Sequence, residues 1–504
     1  MAQAQDQGET LAFLRQALAQ EQGGPVESIE THISVVLMAG ARAWKLKRAV
    51  RLSYIDFSTI ALRRAAAETE LRLNRRTAPQ LYLGLRHVVR RPDGALGFDG
   101  DGEIVDVLVE MRRFEQATLF DKLARADALD RPTLTVLAQE IARFHAGAEV
   151  RADVGGAASI ARMLEGNIQA LRDCGLVPDA EAAEQAQRFR AALARLAPLM
   201  DARAAAGKLR HCHGDLHLRN ICLYGGRPVL FDCIEFDDRL AAIDVLNDLA
   251  FLLMDLWEHG RRDQANWVLN RYLDAADEID GLPLLPFFMA MRAAVRAHVT
   301  ALQAQADAAK RDEALAYHHL ADALLAPAPA RLVAIGGLSG TGKSTLARAL
   351  AARLGAPPGA RILSSDRIRK ARAGVAAETR LPAQAYTPEE SRLVYAELCA
   401  KAGRALRAGC AVIADAVFAR PDERGHIEAV AGAAGAAFDG LWLETGAETM
   451  RARVAARVGD PSDANADVVA AQLRYDLGDI GWTRLDAGAD DIAVRAARVL
   501  SLTS

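Results

Sequence analysis

The chain has 504 residues, of which 51% are hydrophobic and 25% charged, and its formal net charge is −3. This length exceeds what a single hydrophobic core usually serves and indicates roughly three units of ~150 residues. The small net charge excludes an overall basic field of the kind that draws a protein to nucleic acid or to a membrane.

The sequence shows no pattern of secretion or membrane insertion. Residues 1–22 are polar and amphipathic, without a charged segment followed by an apolar one. The apolar run from Leu249 to Trp257 is broken by Asp255 and falls short of the ~18 residues of a membrane helix. The six cysteines are scattered and lack metal-binding spacing, as reduced thiols would be. We expect a cytoplasmic protein without a membrane partner, and its oligomeric state stays open.

The first 110 residues alternate between strand and helix patterns after an N-terminal helix. β-branched and alternating residues predict strands, and a charged, alanine-rich segment predicts a helix. The predicted strands are 29–38, 41–48, 81–89 and 104–110, and the predicted helix is 58–76. Residues 119–206 and 240–325 are predicted to be almost entirely helical.

A polar loop and a hairpin interrupt the helical region. The loop runs from His211 to Asn220, and the hairpin that follows ends at Asp232. Transfer of a phosphoryl group to a hydroxyl requires an aligned acceptor and neutralised phosphates. Asp215 can accept the acceptor's proton, while Asn220 and Asp232 can hold Mg²⁺ between the phosphates. The alternative is a polar loop whose Asp and Asn side chains only make turn hydrogen bonds.

The segment His213-Gly-Asp-Leu-His-Leu-Arg-Asn220, followed by Asp232, resembles the catalytic loop of the aminoglycoside phosphotransferase and choline kinase group. These proteins have a two-lobed, protein-kinase-like fold. The resemblance implies such a domain over residues 1–325, with a small lobe over about 25–110, a large lobe over about 111–325, and ATP between the lobes.

The same resemblance implies further ATP-binding residues. A strand lysine should contact the phosphates and pair with a helix glutamate. Lys45 is the first candidate for the lysine and Lys47 its rival, since both side chains lie on the same face of a strand. Glu70 or Glu68 would be the partner. Residues Glu110 to Arg112 fall where the fold hydrogen-bonds adenine through its backbone.

A short Ala-Pro linker over residues 326–330 leads into a second predicted domain, 331–504. Its predicted strands alternate with helices, a pattern that indicates a doubly wound parallel sheet. These strands are 332–335, 361–363, 411–414, 440–443 and 482–485.

A phosphate-binding loop follows the first of these strands. Its sequence fits G-x-x-x-x-G-K-[ST] and lies between a buried strand and a helix, so that backbone N–H groups can surround a polyphosphate. Lys343 can bridge the β- and γ-phosphates and assist transfer, and Ser344 can hold Mg²⁺. The loop consists of Gly337, Leu338, Ser339, Gly340, Thr341, Gly342, Lys343, Ser344 and Thr345.

Carboxylates end two further strands of this domain. Asp366 is a candidate general base, and Asp415 is suited to hold Mg²⁺. Arg453 and Arg457 can close on the transferring phosphoryl group, although a solvated basic face explains them equally well. This half resembles P-loop small-molecule kinases, a group that includes gluconate kinases, zeta-toxin-like sugar-nucleotide kinases and polynucleotide kinases.

The order of the two halves resembles a bacterial family of bifunctional aminoglycoside phosphotransferase-like, P-loop ATP-binding proteins. The leading hypothesis is a kinase with two Mg·ATP sites that phosphorylates hydroxyls of small molecules. One alternative makes one half a nucleotide-binding regulator, and another directs the P-loop half to a sugar nucleotide or nucleic acid. Nucleic acid is the less favoured acceptor because no aromatic residues interleave with the arginines after Asp366. Aminoglycoside phosphorylation is a further hypothesis.

Overall fold

The structure is a computed structural model, and it describes residues 6–52, 55–304, 307–457, 459–488 and 492–501. The chain forms two compact units. The first comprises residues 1–159 and 201–255, and the second comprises 160–200 and 256–504. The domain boundaries at residues 325 and 331 stay predictions.

The first unit begins with a helix followed by a sheet and a second helix. The elements of residues 6–112 are α1 (Gly8–Gln22), β1 (Glu27–Glu30), β2 (Ser34–Ala39), β3 (Arg42–Lys47), β4 (Arg51–Leu52), β5 (Ile55–Asp56), α2 (Ile60–Asn74), β6 (Tyr82–Arg90), β7 (Leu96–Phe98) and β8 (Glu103–Arg112). Helix α2 begins where the Thr59 side chain accepts a hydrogen bond from the Leu62 N–H, which satisfies a backbone donor of the first turn.

Six of these strands form one antiparallel sheet in the order β1-β2-β3-β8-β6-β7. Leu14 and Leu18 of α1 pack on one face of it, in a buried cluster with Leu37 and Trp44. Helix α1 therefore belongs to the small lobe, and that lobe begins before residue 25.

The prediction of one strand over residues 29–38 is wrong. The chain turns between β1 and β2, where the Thr31 N–H donates to the Ser34 carbonyl, and the two strands pair as a hairpin. The β-branched residues in this stretch do not distinguish a hairpin from a single strand, because they favour an extended backbone whichever strand they pair with.

The region between the sheet and the linker is helical, with two small β ladders. Its elements are α3 (Phe120–Arg125), α4 (Arg131–Gly147), α5 (Gly156–Asp173), α6 (Asp179–Ala205), β9 (Leu209–His211), β10 (Ile221–Tyr224), β11 (Arg227–Leu230), α7 (Asp238–Ala241), β12 (Ala242–Asp244), α8 (Val245–Glu258), α9 (Arg262–Ala275), α10 (Leu285–Ala304) and α11 (Ala308–Leu324). The hairpin β10–β11 was predicted. Strand β12 was predicted to be helical but pairs with β9.

The last part of the chain alternates strands and helices as predicted. Its elements are β13 (Arg331–Gly336), α12 (Lys343–Ala351), β14 (Arg361–Ser364), α13 (Ser365–Arg372), α14 (Pro388–Arg407), β15 (Val412–Asp415), α15 (Pro421–Ala433), β16 (Ala437–Glu444), α16 (Ala447–Ala455), α17 (Ala466–Gln472), β17 (Thr483–Asp486) and α18 (Ile492–Val499). The five strands pair in parallel in the order β14-β15-β13-β16-β17. The fold prediction of a doubly wound parallel sheet is thus confirmed.

The carboxyl ends of parallel strands share one edge of the sheet, where ligands bind in such folds. The phosphate loop follows β13, and Asp366 and Asp415 lie at the ends of β14 and β15. Within the ranges described above, no helix combines the length and the apolar character needed to cross a bilayer.

Candidate active sites

Two lysines and one glutamate form the centre of the first site. Glu70 of α2 is fully buried, and its carboxylate accepts hydrogen bonds from the Nζ atoms of Lys45 (2.9 Å) and Lys47 (2.7 Å). Glu68, the alternative partner, lies on the exposed side of α2 and pairs with Arg64. The side-chain alternation of β3 puts both lysines on one face, so that one carboxylate can bind both.

The second partners of the two lysines differ. The Nζ of Lys45 lies 2.6 Å from the Oδ1 of Asp232, whereas Lys47 binds the carboxylate of the buried Glu235. Burial lowers the pKa of Lys45, but the carboxylates outweigh this effect and raise the pKa well above its ordinary value. For Glu70, burial raises the pKa and the lysines hold it at about 2. Lys45 and Glu70 are therefore both charged at neutral pH.

Asp232 follows β11 in a backbone conformation that is rare for a residue other than glycine, with φ of 62°. Its N–H donates to the Tyr82 hydroxyl at 3.2 Å, and the next N–H, of Cys233, donates to the Oδ1 of Asn74 at 2.9 Å. These bonds hold the turn, and the Asp232 side chain remains 40% exposed.

Asp215 and Asn220 lie together in the loop before β10. The Nδ2 of Asn220 donates to the Oδ2 of Asp215 at 2.8 Å and to its carbonyl oxygen at 3.0 Å. The Nε2 of His217 lies 3.3 Å from the same Oδ2. Because the Nδ1 of His217 accepts from the Arg219 N–H, Nε2 is the nitrogen that carries the proton and donates to Asp215. His217 thus orients the candidate base.

Asp248 holds the start of this loop. Its carboxylate is fully buried and accepts from the N–H of His213 (3.0 Å) and of Gly214 (2.8 Å). The Nε2 of His145 lies 3.1 Å from it. The His213 ring meets the Phe231 carbonyl through Nε2, at 2.9 Å, and so connects the loop to the end of β11. His213 is a structural residue of the loop.

Glu110 and Arg112 lie at the end of β8 rather than beyond it. Glu110 pairs with Trp44 of β3, and Arg112 pairs with Arg42. The Arg112 N–H donates to the Leu81 carbonyl at 2.8 Å. The N–H of Arg113 also donates within the lobe, to Ala41 at 3.0 Å. The chain leaves the sheet at Phe114.

The second site is built on the phosphate loop, whose glycines are required by its shape. Gly337 and Gly340 have φ of 138° and 88°. A Cβ on Gly337 would lie 2.6 Å from the Leu443 carbonyl oxygen, and one on Gly340 would lie 2.6 Å from that of Met450. The contacts are backbone atoms, which cannot move aside as a flexible side chain can. Only glycine fits at either position.

Side chains of the loop already contact one another and the neighbouring strand. The Lys343 Nζ donates to the Leu338 carbonyl at 3.0 Å, and the Ser344 hydroxyl donates to the Oδ2 of Asp415 at 2.7 Å. The Ser339 N–H donates to the Oε1 of Gln472 at 2.7 Å. Gln472 was not among the residues that the sequence predicted for this site.

Burial governs the charges around this loop. It raises the pKa of Asp415 and of Asp366, and it lowers the pKa of Lys343. The Ser462 hydroxyl and the positive charges of Lys343, Arg369 and Arg457 act against the shift of Asp366. A buried carboxyl with a raised pKa beside a cation is typical of a proton acceptor in an active site.

The two candidate lid arginines lie on either side of the end of α16. Arg453 is exposed, and its guanidinium lies 3.5 Å from the Thr341 carbonyl and donates to the Ala487 carbonyl at 3.0 Å. The charge of Arg457 contributes to the lowered pKa of Lys343. Arg367 and Arg369, in contrast, bind protein groups: Asp274 and the Ala385 carbonyl, respectively.

Sequence reasoning missed Asp248, Glu235 and Asn74 as residues of the first site. Each is polar and buried, and each binds a segment far away in the chain. A buried Asp inside the apolar helix α8 was the available signal, because such a charge requires partners.

Two family models match the chain. The model described as "Phosphotransferase enzyme family" matches residues 60–283, and the one described as "AAA domain" matches residues 332–476. The fold and the sites therefore define a kinase-like phosphotransferase domain of protein-kinase-like fold, followed by a P-loop kinase-like domain.

Relatives match most of the chain, across both family matches. The chain is 31% identical over 463 residues to "Uncharacterized protein Rv2004c" of Mycobacterium tuberculosis, covering 89% of this chain and 90% of the relative. The values are the same for "Uncharacterized protein Mb2027c" of Mycobacterium bovis. The chain belongs to the family of these proteins, which combines an aminoglycoside phosphotransferase-like half with a P-loop ATP-binding half.

Solved structures are similar to one half or the other. A choline/ethanolamine kinase family protein from Mesorhizobium loti is 17% identical, with 62% of this chain and 94% of that one covered and a TM-score of 0.40. A sugar kinase from Janibacter sp. is 21% identical, with 35% and 96% covered and a TM-score of 0.28.

Proposed function

We propose that this protein is an ATP-dependent phosphotransferase with two Mg·ATP sites, one in each compact unit, and that it phosphorylates hydroxyls of small molecules. The observation that carries the proposal is the first site: Asn220 binds the Asp215 carboxylate while Lys45 binds Asp232. The Phe231 N–H donates to the Asn220 carbonyl at 3.0 Å and so joins the two pairs. A candidate proton acceptor, two candidate oxygen ligands for a metal and a candidate phosphate-binding cation are then neighbours, which supports the proposal.

In the first site, Asp215 accepts the proton of the acceptor hydroxyl. Its side chain is 36% exposed and is held by Asn220 and His217, so it is oriented and still accessible to a substrate. Because the Nδ2 of Asn220 is engaged with Asp215, the amide oxygen is the atom left for Mg²⁺. Asn220 and Asp232 supply the hard oxygen ligands that Mg²⁺ prefers. Bound Mg²⁺ would neutralise charge on the phosphates.

Lys45 is the phosphate-binding lysine of this site, and Lys47 helps to hold Glu70, the partner of Lys45. Lys45 contacts Asp232, which would hold the metal, and 13% of its side chain is exposed. Lys47 is 1% exposed and is bound to Glu70 and Glu235. When Mg·ATP binds, Lys45 exchanges Asp232 for the phosphates and keeps Glu70, which pre-orients it.

Adenine binding is assigned to the backbone immediately after β8. The N–H groups of Arg112 and Arg113 already donate to Leu81 and Ala41. Groups from Phe114 onward are therefore better placed to meet adenine than those of Glu110 to Arg112.

In the second site, Lys343 and the N–H groups of the loop bind the β- and γ-phosphates. Ser344 and Asp415, which are hydrogen-bonded to each other, provide oxygen ligands for Mg²⁺. Asp366 accepts the proton of the second acceptor, and Arg453 and Arg457 stabilise the charge on the transferring phosphoryl group. The six cysteines are thiols, which suits a cytoplasmic protein.

The test is a screen of small metabolites for ATP-dependent phosphorylation. The wild-type protein is compared with the Asp215→Ala and Lys343→Ala variants. We expect each variant to lose turnover of a different acceptor by at least about 10²-fold, the size of effect seen when one electrostatic or proton-transfer group is removed.

The outcomes separate the hypotheses. If only one variant loses turnover, the other half acts as a nucleotide-binding regulator. If neither substitution lowers any ATP-dependent turnover, the proposed function is wrong. Aminoglycosides and short oligonucleotides belong in the screen as acceptors of the competing hypotheses.

A further inference from the structure

The strand that precedes Asp366 in the chain is held by a helix from the other family match. Strand β14 is at the edge of its sheet, with β15 on one side. On helix α9, the Oδ1 of Asn270 accepts from the Ile362 N–H at 2.8 Å. The Nδ2 atoms of Asn266 and Asn270 donate to the Ala360 carbonyl at 3.0 and 3.1 Å. Helix α9 thus supplies hydrogen-bond partners to the strand edge that has no neighbouring strand among the described residues.

An ion pair continues this contact one turn further along α9. The Asp274 carboxylate accepts from Arg361 at 2.8 Å and from Arg367 at 3.3 Å. Arg361 also donates to the carbonyl and the Oδ1 of Asn270, both at 3.1 Å. Asn266, Asn270 and Asp274 are spaced four residues apart and therefore lie along one face of α9.

These contacts are buried and specific. Asn266, Asn270 and Arg361 are 3%, 1% and 5% exposed. A contact that served only to bury a helix would be apolar, since each buried polar group costs free energy unless it is paired. Paired amides and charges instead define one register of α9 against β14.

The register of β14 determines where Asp366 lies. Strand β14 ends at Ser364, and Asp366 is in the first turn of α13, directly before Arg367. Asp274 therefore holds the chain on both sides of Asp366, through Arg361 at the start of β14 and Arg367 in α13. Among the residues that the structure describes, no hydrogen bond or ion pair joins Asp366 to Asp274, so the effect on Asp366 is one of position.

We propose that Asn270 and Asp274 are positioning residues for Asp366. A helix within the phosphotransferase-family match, 60–283, then completes the phosphate-loop site. This inference rests on the proposed function of that site, with Asp366 as its base. Removing either residue should displace the base while leaving the phosphate loop, and hence ATP binding, in place.

The test uses the full-length chain with Asp215→Ala, so that turnover comes from the phosphate-loop site. The probe is ATP hydrolysis with water as acceptor, and its dependence on Lys343 is established by adding Lys343→Ala. In this parent, Asp274→Asn should lower kcat about 10–100-fold, because a displacement of about 1 Å costs that order of rate. The KM for ATP should change less than about threefold. Asp274→Glu, which keeps the charge, should restore part of kcat.

The matched control is Asp277→Asn. Asp277 is exposed and binds Arg404 of α14 at 3.0 Å, so it joins neighbouring elements without holding β14. We expect its kcat and KM to equal those of the parent. Deuterium exchange over residues 361–372 should rise in Asp274→Asn and not in the control.

The other possible results contradict either the positioning role or the proposed function of the phosphate-loop site. An unchanged kcat in Asp274→Asn, or unchanged exchange over residues 361–372, would overturn the positioning role alone. Equal losses in kcat and in ATP affinity would mean that the whole site is disrupted, and would also overturn it. A parent without Lys343-dependent turnover would remove the proposed function of this site, and the inference with it.

Discussion

At the scale of single residues, the first site depends on one carboxylate that binds two lysines. Glu70 is fully buried between Lys45 and Lys47, and these lysines in turn bind Asp232 and Glu235. A buried carboxylate of this kind costs desolvation free energy, which close and well-oriented partners offset. Its removal leaves buried positive charge behind.

We therefore expect Glu70→Gln to lower the free energy of unfolding at pH 7 by about 3–5 kcal/mol, the usual effect of removing one partner of a buried ion pair. Urea unfolding followed by circular dichroism measures it. Glu68→Gln is the matched control on the same helix, since Glu68 is exposed and binds only Arg64. Its effect should stay within about 0.5 kcal/mol. Equal effects of the two substitutions would contradict this role of Glu70.

The effect of Glu70→Gln should also depend on pH. The folded protein holds the pKa of Glu70 at about 2, below the ordinary value of 4.5, because the two lysines outweigh burial. The stabilisation is complete above the ordinary value and is lost as the pH falls from there toward about 2. The difference between wild type and Glu70→Gln should accordingly shrink when unfolding is measured below pH 4.5.

Asp366 yields a second pH prediction, on activity. Burial raises its pKa above the ordinary 3.8, so turnover at the phosphate loop should fall on the acid side at a higher pH than an exposed aspartate would give. The Ser462 hydroxyl opposes this shift by hydrogen bonding to the carboxylate. Ser462→Ala should move the acid limb of the kcat profile to still higher pH. A limb that stays in place would argue against Asp366 as the base.

At the scale of elements, the phosphate loop has no room for a side chain at two of its glycines. A Cβ on Gly340 would meet the Met450 carbonyl oxygen at 2.6 Å, and the φ of 88° disfavours any side chain. We expect Gly340→Ala to weaken ATP binding about 10–100-fold, since strain of about 1–3 kcal/mol must be relieved by displacing the loop. Titration calorimetry with a non-hydrolysable ATP analogue, in a Lys45→Met background that removes ATP binding at the first site, measures this loss at the second site.

Gly435→Ala is the control for that measurement. Gly435 also has a positive φ, 63°, but a Cβ there meets no atom within 4 Å. The substitution should cost stability of about 1–2 kcal/mol through backbone strain alone, with ATP affinity unchanged. A comparable loss of affinity in both variants would show that strain, and not the shape of the loop, is responsible.

The strands of the P-loop half were predictable because each is a short apolar run between loops. Their order in the sheet was not, since pairing β14 with β15 depends on contacts between residues about 50 positions apart. The hairpin β1–β2, in contrast, is an element that local sequence patterns did not predict. Its turn is closed by the Thr31 N–H, which donates to the Ser34 carbonyl, and by the Thr31 hydroxyl oxygen, which accepts from the Ser34 N–H. The β-branched residues nearby do not reveal such a turn.

At the scale of the whole molecule, the chain should bind two ATP molecules. The first and second sites lie in different compact units and use unrelated phosphate-binding groups. Titration of the wild-type protein with a non-hydrolysable ATP analogue and Mg²⁺ should give a stoichiometry of two per chain. Lys45→Met and Lys343→Met should each reduce it to one. A stoichiometry of one in the wild type would contradict the two-site proposal.

The compact units also bear on how the chain is divided. The second unit includes residues 160–200 and 256–325 besides the P-loop half. Helix α9 satisfies the edge of β14 within that unit. A cut at the Ala-Pro linker would leave the Ile362 N–H and the Ala360 carbonyl without these partners.

The sequence by itself determined the two domain classes of this protein, a phosphotransferase of protein-kinase-like fold and a P-loop kinase-like domain. The loop from Gly337 to Thr345 and the series Asp215, Asn220, Asp232 indicated these classes, because residues at that spacing in one short segment are typical of phosphate and Mg²⁺ binding. Local spacing also predicted the elements that carry them.

Only the tertiary structure decided which distant residues serve these motifs. Lys45 and Lys47 share a strand face, and Glu68 and Glu70 share a helix, so local rules could not pair them. The approach of α2 to β3 brings Glu70 to both lysines, and the approach of α9 to β14 brings Asn270 to Ile362 and Asp274 to Arg367, the residue after Asp366. Such contacts follow from how buried polar groups find partners across the folded chain, which no short segment encodes.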